Sequence, residues 1–471
     1  MTTQDIVLGG QWIFLAYFVG INLGYLMQNV IAAIGIRKYL QTSEQYEAEN
    51  VFSALDIPIS VVVPAYNESA SIITSVKAML QLEYPQYELV VVNDGSSDDT
   101  LDKLIDEFDM REFPEAYRAR VESKPVRGIY RSTRIRNLRV VDKENGGSKA
   151  DASNAGINAC RFPLVCVVDA DSVLQPDSLR RVVRPFLEDP TTVAVGGTVR
   201  IANGCTVKQG FLEKVGLPSN FLALVQVVEY LRAFLFGRMG WSPINGLLII
   251  SGAFGLFHKE TLVEAGGYDP DAVGEDMELV LRLHRLMKQK GRPYRITFVP
   301  DPVCWTDAPE NLRDLKSQRV RWQHGLGQAL ALNKSLIGNR NGGAVSWVSI
   351  PFYLVFELFG PIIEVAGYFF IALCAWMGWL SWPEAGIFLG LAIGLGVLLS
   401  TSAIMLEELS FHMYPKVSQL ALLYFVAIVE NFGFRQLTAI WRFRGLVRWL
   451  RGGKHEWETL TRSASLADES R

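Results

Sequence analysis

The sequence predicts an α/β domain with a mostly parallel sheet, flanked by transmembrane helices. Three observations carry this. Apolar runs of strand length alternate with helix-length segments between about residues 57 and 170. Each run stops on a turn that carries Asp, Asn, Gly or Lys. The apolar residues, 49% of a 471-residue chain, are concentrated toward its two ends. The net charge of −3 gives no electrostatic reason to expect nucleic acid. The five cysteines form no Cys-x-x-Cys pair, which points to a reducing compartment without structural zinc.

Trp12 to Ile34 is almost uncharged, about the length of a bilayer helix, and is followed by Arg37-Lys38. No basic stretch precedes it and no Ala-x-Ala site ends it, so residues 1–40 read as a signal anchor with the next segment in the cytoplasm. Residues 41–56 read as a polar linker. Ile57 to Val63 is a strand, and Pro64-Ala-Tyr-Asn-Glu68 turns it into a helix reaching about Leu82. Tyr87 to Val92 is a second strand, Asn93-Asp-Gly-Ser-Ser-Asp-Asp99 its turn, and a helix to about Phe108 follows. Arg111 to Arg139, with Arg127, Arg131, Arg134 and Arg136, reads as a solvated or membrane-facing basic loop. Leu138 to Val141 is a third strand, Gly146-Gly-Ser-Lys-Ala-Asp151 a glycine turn, and Ala152 to Cys160 a helix. Leu164 to Val168 is a buried strand that stops on Asp169-Ala-Asp171.

Ligands of open α/β sheets gather outside the carboxyl ends of the strands, so Asp94, Lys149, Asp169 and Asp171 are expected to share one cleft. Two carboxylates there offer hard oxygen ligands to Mg²⁺ or Mn²⁺. The pair alone is a weak signal, because Asp is common in such turns. Leu247 to Phe257 reads as a glycine-interrupted strand where a ligand can approach the backbone. Gly274-Glu-Asp276 opens a helix whose Leu279, Val280, Leu283, Leu286 and Met287 share one face. An acid at that position would also complement the helix dipole. Gln318-Arg-Val-Arg-Trp322 falls in an amphipathic stretch, Leu312 to Leu332, and the domain is expected to occupy residues 57–340.

Residues 341–441 turn hydrophobic again, with spans expected at Phe352–Trp376, Ala385–Met405 and Leu420–Ile440. Glu357, Glu364, Glu430, Asn431 and Arg435 fall in or beside them and should face a protein interior or a water-filled path. Three full crossings would put the basic cluster Arg442 to Lys454 outside the cell, against the positive-inside rule. A broken or re-entrant hairpin at Glu430-Asn-Phe-Gly433 is therefore expected, returning a basic tail, residues 442–471, to the cytoplasm.

A lysine beside a carboxylate-bound cation suits a diphosphate, and an aspartate after the second strand suits a base or ribose. Neither Gly-x-x-x-x-Gly-Lys-Ser/Thr nor Gly-x-Gly-x-x-Gly is present, which disfavours an NTPase or a dinucleotide dehydrogenase. A nucleotide-sugar is the natural ligand.

Pro64-Ala-Tyr-Asn-Glu68, Asn93-Asp-Gly95, Lys149-Ala-Asp-Ala-Ser-Asn154, Asp169-Ala-Asp171, Gly274-Glu-Asp276 and Gln318-Arg-Val-Arg-Trp322, in this order, resemble the inverting family 2 glycosyltransferases of GT-A, Rossmann-like fold. The chain is most similar to membrane-embedded processive synthases of poly-N-acetylglucosamine, hyaluronan, chitin and cellulose. The resemblance implies that Tyr66, Glu68, Asp94, Lys149 and Asp169 bind the donor, with Asp94 on the uridine and Lys149 on the diphosphate. It implies that Asp171 with Asp169 holds Mg²⁺ or Mn²⁺, and that Asp276, with Glu275 beside it, is the catalytic base. Gln318, Arg321 and Trp322 would contact diphosphate and acceptor, and Trp457 and Arg462 would belong to a gating segment. Asn93 stands where many relatives carry aspartate, and Gly274 where a small hydroxyl residue is usual.

The implied protein is a multi-pass enzyme of the inner (plasma) membrane with a cytoplasmic catalytic domain. It would polymerise a UDP-sugar, UDP-N-acetylglucosamine first and UDP-glucose next, into a β-linked polysaccharide and pass it through its own helices. Membrane lipids, the growing polysaccharide or a lipid acceptor, and an accessory export subunit are the partners implied. The competing readings are a ceramide-glucosyltransferase-like glycolipid enzyme and a non-catalytic export partner; intact Asp94, Asp171 and Asp276 argue against the second.

Overall fold

The computed structural model describes residues 3–49, 56–114 and 117–452. In chain order its strands are β1 (Ile59–Ala65), β2 (Tyr87–Asn93), β3 (Met110–Glu112), β4 (Val126–Ser132), β5 (Leu138–Lys143), β6 (Leu164–Val168), β7 (Val173–Leu174), β8 (Thr192–Ile201), β9 (Thr206–Lys208), β10 (Phe211–Lys214), β11 (Phe254–His258) and β12 (Arg295–Thr306). All but the β9–β10 hairpin join one sheet, ordered β3-β4-β5-β2-β1-β6-β11-β8-β12-β7. The central run β5-β2-β1-β6 is parallel. Every residue of β6 is buried, as expected of a strand covered on both faces. The helix Lys149–Ala159 packs over β1 and β2. Gly156 makes this possible, since a Cβ there would lie 2.3 Å from Val62 Cγ1.

The sheet is more mixed than the alternating pattern suggests. β11 runs antiparallel between β6 and β8. The basic stretch 111–139 is not a loop: it supplies β3 and β4, antiparallel to one another and to β5. Only Ile129 of β4 is buried, so the strand lacks an apolar signature. Its arginines serve the domain itself, Arg127 pairing with Asp142 at 2.7 Å and Arg131 lying 4.1 Å from the Phe113 ring centroid. A short, charged outer strand also resists pairing with other chains.

The helix after β1 starts later and ends earlier than expected, at Ile72–Met79. Of Leu247–Phe257 only the part from Phe254 is strand. The first helix continues through the expected linker to Glu49, since Gln41–Glu49 contains neither Gly nor Pro to stop it. The expected tail boundary at 442 falls inside the helix Phe434–Leu450.

Among the described residues three helices are long and apolar enough to cross a membrane: Val7–Thr42, Val345–Trp376 and Ala385–Ser410. A bent pair, Val417–Val429 and Phe434–Leu450, forms a fourth if taken as one span; it turns by 59° at the expected break. After the break the chain returns to the α/β domain. Gly445 and Gly327 allow the helices Phe434–Leu450 and Leu312–Leu332 to touch, with added Cβ atoms falling 2.6 Å from Val320 O and from the Trp449 ring.

Glu357, Glu364 and Glu430 each meet protein partners. Glu357 accepts from Arg442 Nη2 at 2.8 Å and from Tyr25, and Glu364 from Tyr17 at 3.1 Å. Glu430 is fully buried between Arg232, Ser400 at 2.6 Å and Arg435 at 2.9 Å. Asn431 bonds back to Ala427 O at 2.8 Å.

Candidate active site

The parallel strands β1, β2, β5 and β6 run in one direction, so the polar residues that follow them gather at one edge of the sheet. At the end of β1, Tyr66 is 47% exposed, whereas Glu68 is buried and accepts from Ser71 Oγ at 3.1 Å. After β2, Asn93 turns inward and donates to Asp142 Oδ1 at 2.7 Å, so it belongs to the core rather than the cleft.

Asp94 is buried, accepts from the Gly146 amide at 3.0 Å, and pairs with Lys143. Lys143 is itself fully buried and also meets Asp151 at 2.5 Å. Sequence reasoning missed Lys143. Its one visible signal is a cation closing a buried strand just before a glycine turn.

Ser148 caps the next helix, its Oγ accepting from Asp151 N at 3.3 Å, and so fixes the start at Lys149. Lys149 pairs with Asp169 and donates to Gly252 O at 2.7 Å. The amide of the same glycine donates to Asp276 Oδ2 at 3.2 Å. A Cβ on Gly252 would lie 3.5 Å from Lys149 Nζ, 3.7 Å from Glu275 Oε1 and 3.8 Å from Asp276 Oδ2. Three charged groups from two helices thus converge on one glycine. Its segment is anchored from behind by His284, bonded at 2.8 Å to Leu247 O and at 2.8 Å to Tyr294 OH. Burial pulls His284 down to about 4, so the ring is neutral at physiological pH, donating to the carbonyl and accepting from the phenol.

The electrostatics follow from this crowding. Burial opposes the Lys149 charge, but Asp169, Glu275 and Asp276 together outweigh it and the net shift is upward. Glu275 is pushed up, to about 7, first by burial and then by the Asp276 charge, against the pull of Lys149.

Gln318, Arg321 and Trp322 lie on the helix Leu312–Leu332. Gln318 is buried, with no partner for its Oε1 among the described residues. The Arg321 charge reaches Glu275. Trp322 is 44% exposed, with Arg319 Cζ 4.3 Å from its ring centroid. Gly274 has a physical reason: a Cβ on it would come within 3.2 Å of the Gly325 backbone, so the helix carrying Glu275 and Asp276 touches the one carrying Gln318 and Arg321. Trp457 and Arg462 lie outside the described residues.

Among the described residues no group of three or more His, Cys, Asp or Glu side chains is assembled as an ion site. The chemistry of the donor set nevertheless fits Mg²⁺ or Mn²⁺. Asp169 and Asp171 are half-buried at a strand end, and Mg²⁺ is commonly held by one or two carboxylates with substrate phosphates and water completing the shell. Bound there, the ion would neutralise charge on a departing diphosphate.

Residues 57–325 match the family described as glycosyltransferase like family 2. A poly-β-1,6-N-acetyl-D-glucosamine synthase of Staphylococcus epidermidis is 30% identical over 267 residues, which are 57% of this chain and 54% of that protein. The synthase of the same name from Staphylococcus aureus strain COL is 29% identical over the same shares. The chain therefore spans little more than half the length of the curated relatives it matches. Among solved structures, mannosyltransferase PcManGT from Pyrobaculum calidifontis, in complex with GDP-Man and Mn²⁺, is 20% identical with a TM-score of 0.49, covering 89% of this chain and 99% of that one. S. aureus TarS 1–349 in complex with UDP-GlcNAc is 13% identical with a TM-score of 0.40, covering 84% and 93%.

Proposed function

Because the chain belongs to glycosyltransferase-like family 2, we propose that it polymerises a UDP-sugar, UDP-N-acetylglucosamine first and UDP-glucose next, into a β-linked polysaccharide. Tyr66, Glu68, Asp94, Lys149 and Asp169 bind the donor, with the uridine at Asp94 and the diphosphate at Lys149, and the ion is held at Asp171 with Asp169. Asp276 takes the proton of the acceptor hydroxyl as that oxygen forms its bond to C1 of the donor sugar. The bond from C1 to the UDP oxygen breaks on the opposite face, which inverts the anomeric centre. The observation that supports this reading is the meeting of Lys149, Glu275 and Asp276 around Gly252, an ammonium and two carboxylates at one point. The relatives' names favour N-acetylglucosamine.

We extend the reading to an enzyme of the inner membrane, with its α/β domain in the cytoplasm and the polymer leaving through its helices. The polar groups Tyr17, Tyr25, Glu357, Glu364 and Arg442, held among those helices, support such a path.

Incubating the purified, membrane-reconstituted protein with Mg²⁺ or Mn²⁺ and each labelled UDP-sugar, then sizing the product, tests the proposal. High-molecular-weight polymer from UDP-N-acetylglucosamine is expected. A single sugar in the lipid fraction would make this a glycolipid enzyme instead, and no turnover of any UDP-sugar would remove the proposal.

The raised Glu275 supplies a second prediction. As pH rises through about 7, Glu275 ionises and adds a carboxylate charge beside Lys149, at the point where the acceptor gives up its proton. On this reading kcat/KM climbs through that range, and Glu275→Gln abolishes the limb. Stability moves oppositely. The unfolded chain releases this proton first, so Glu275 costs increasing stability from the ordinary carboxylate range up to about pH 7. A pH–rate profile that Glu275→Gln leaves unchanged would assign the limb to another group.

A further inference from the structure

Asp276 stands at the start of a helix whose N-cap residue supplies no side-chain cap. The helix Glu275–Gln289 begins after Gly274, which has no side-chain oxygen to offer its first amides. Gly274 meets Gly325 backbone to backbone, so closely that a Cβ on Gly325 would lie 2.9 Å from Gly274 N. The chain entering the helix is held from outside instead.

Gln328 is the holder. It lies three residues beyond Gly325, on the same face of the helix Leu312–Leu332. Its Oε1 accepts from Val273 N at 2.8 Å and its Nε2 donates to Asp271 O at 3.0 Å. Both ends of one carboxamide thus grip the chain just ahead of Gly274.

The far end of the same segment is gripped in the same way. Asn154 Oδ1 accepts from Tyr268 N at 2.8 Å, and its Nδ2 donates to Tyr268 O at 2.9 Å and to Glu122 O at 3.0 Å. Asn154 belongs to the helix that Lys149 opens. Between the two grips the chain folds on Asp269, whose O accepts from Ala272 N at 3.2 Å and whose Oδ1 accepts from Asp271 N at 3.0 Å. Little slack is left. Residues 268–274 are therefore strung between the helix of Lys149 and the helix of Gln318, Arg321 and Trp322, and they end on Glu275 and Asp276. A shift of about 1 Å in a reacting group can cost roughly 100-fold in rate.

We propose that Gln328 is a positioning residue for Asp276, its carboxamide setting where that carboxylate stands relative to Lys149 and the acceptor hydroxyl. A carboxamide suits the task, since it donates and accepts from one plane without carrying charge. The assignment rests on the glycosyltransferase reading with Asp276 as its base, and its test separates the two.

Gln328→Ala is made in the full chain, reconstituted in membranes, alone and together with Asp276→Asn. UDP affinity and kcat for sugar transfer per UDP-binding site are measured, so unfolded protein does not enter the rate. Gln328→Ala alone should lower kcat roughly 10- to 100-fold and leave UDP affinity within about twofold. In the Asp276→Asn background, where no base is left to position, it should cost no more than about twofold. Gln328→Glu, which keeps the volume but turns a second oxygen toward Asp271 O, should show the same pattern, so that lost packing is not the cause. An unchanged kcat, an equal loss in both backgrounds, or a loss of UDP affinity that matches the loss of kcat would overturn the assignment. A wild-type protein that turns over no UDP-sugar would overturn the underlying function, and the assignment with it.

Discussion

Asp276→Asn should slow sugar transfer by about a thousandfold, within the range a positioned general base contributes, while changing UDP affinity by no more than about twofold. The asymmetry follows from geometry. Asp276 accepts from the Gly252 amide at 3.2 Å and from the Met277 amide at 2.8 Å. The two bonds fall on different oxygens, so an asparagine with its one oxygen turned to Gly252 keeps that bond and gives up the one to Met277; the Gly252 segment then keeps its course and Lys149 its carbonyl partner. What is lost is the capacity to take a proton at the point where Lys149, Glu275 and Asp276 meet. The effect should fall on kcat, because the interaction with the proton strengthens only as the acceptor oxygen attacks. Steady-state kinetics with UDP titration by calorimetry make the check. Polymer synthesis at the wild-type rate would remove Asp276 as the base.

The parts of this site that were legible in the sequence share a physical cause. Lys149, Asp169 and Asp276 each follow an apolar run or open a helix, so periodicity and capping chemistry located them. The break at Glu430–Gly433 was legible because charge asymmetry and chain length conflicted there.

The residues that were hidden depend on contacts distant in sequence. β4 could not be read as a strand, since its single buried residue, Ile129, makes no pattern, and its arginines resemble those of a solvated loop. Gly252 shows only as an interruption in an apolar run. Its partners Lys149 and Asp276 lie 103 and 24 positions away.

Lys143→Met should destabilise the protein by about 3 to 5 kcal/mol, the cost of removing one partner from a buried ion pair, and should weaken UDP binding as well. Lys143 is fully buried between Asp94 and Asp151, so the cluster carries one net negative charge in the wild type. Methionine fills a similar volume but leaves two carboxylates facing each other out of water. Against a total stability of about 5 to 15 kcal/mol for an ordinary domain, this is a large fraction.

The double variant Lys143→Met/Asp151→Asn restores a single negative charge and should regain most of the thermal denaturation midpoint. Its UDP affinity separates two roles. Recovery together with stability would mean that Lys143 acts only by balancing charge. Continued weakness would mean that the ammonium also orients Asp94, which keeps only the Gly146 amide at 3.0 Å to direct its carboxylate. A single variant with unaltered melting and UDP affinity would show that the buried pair contributes to neither.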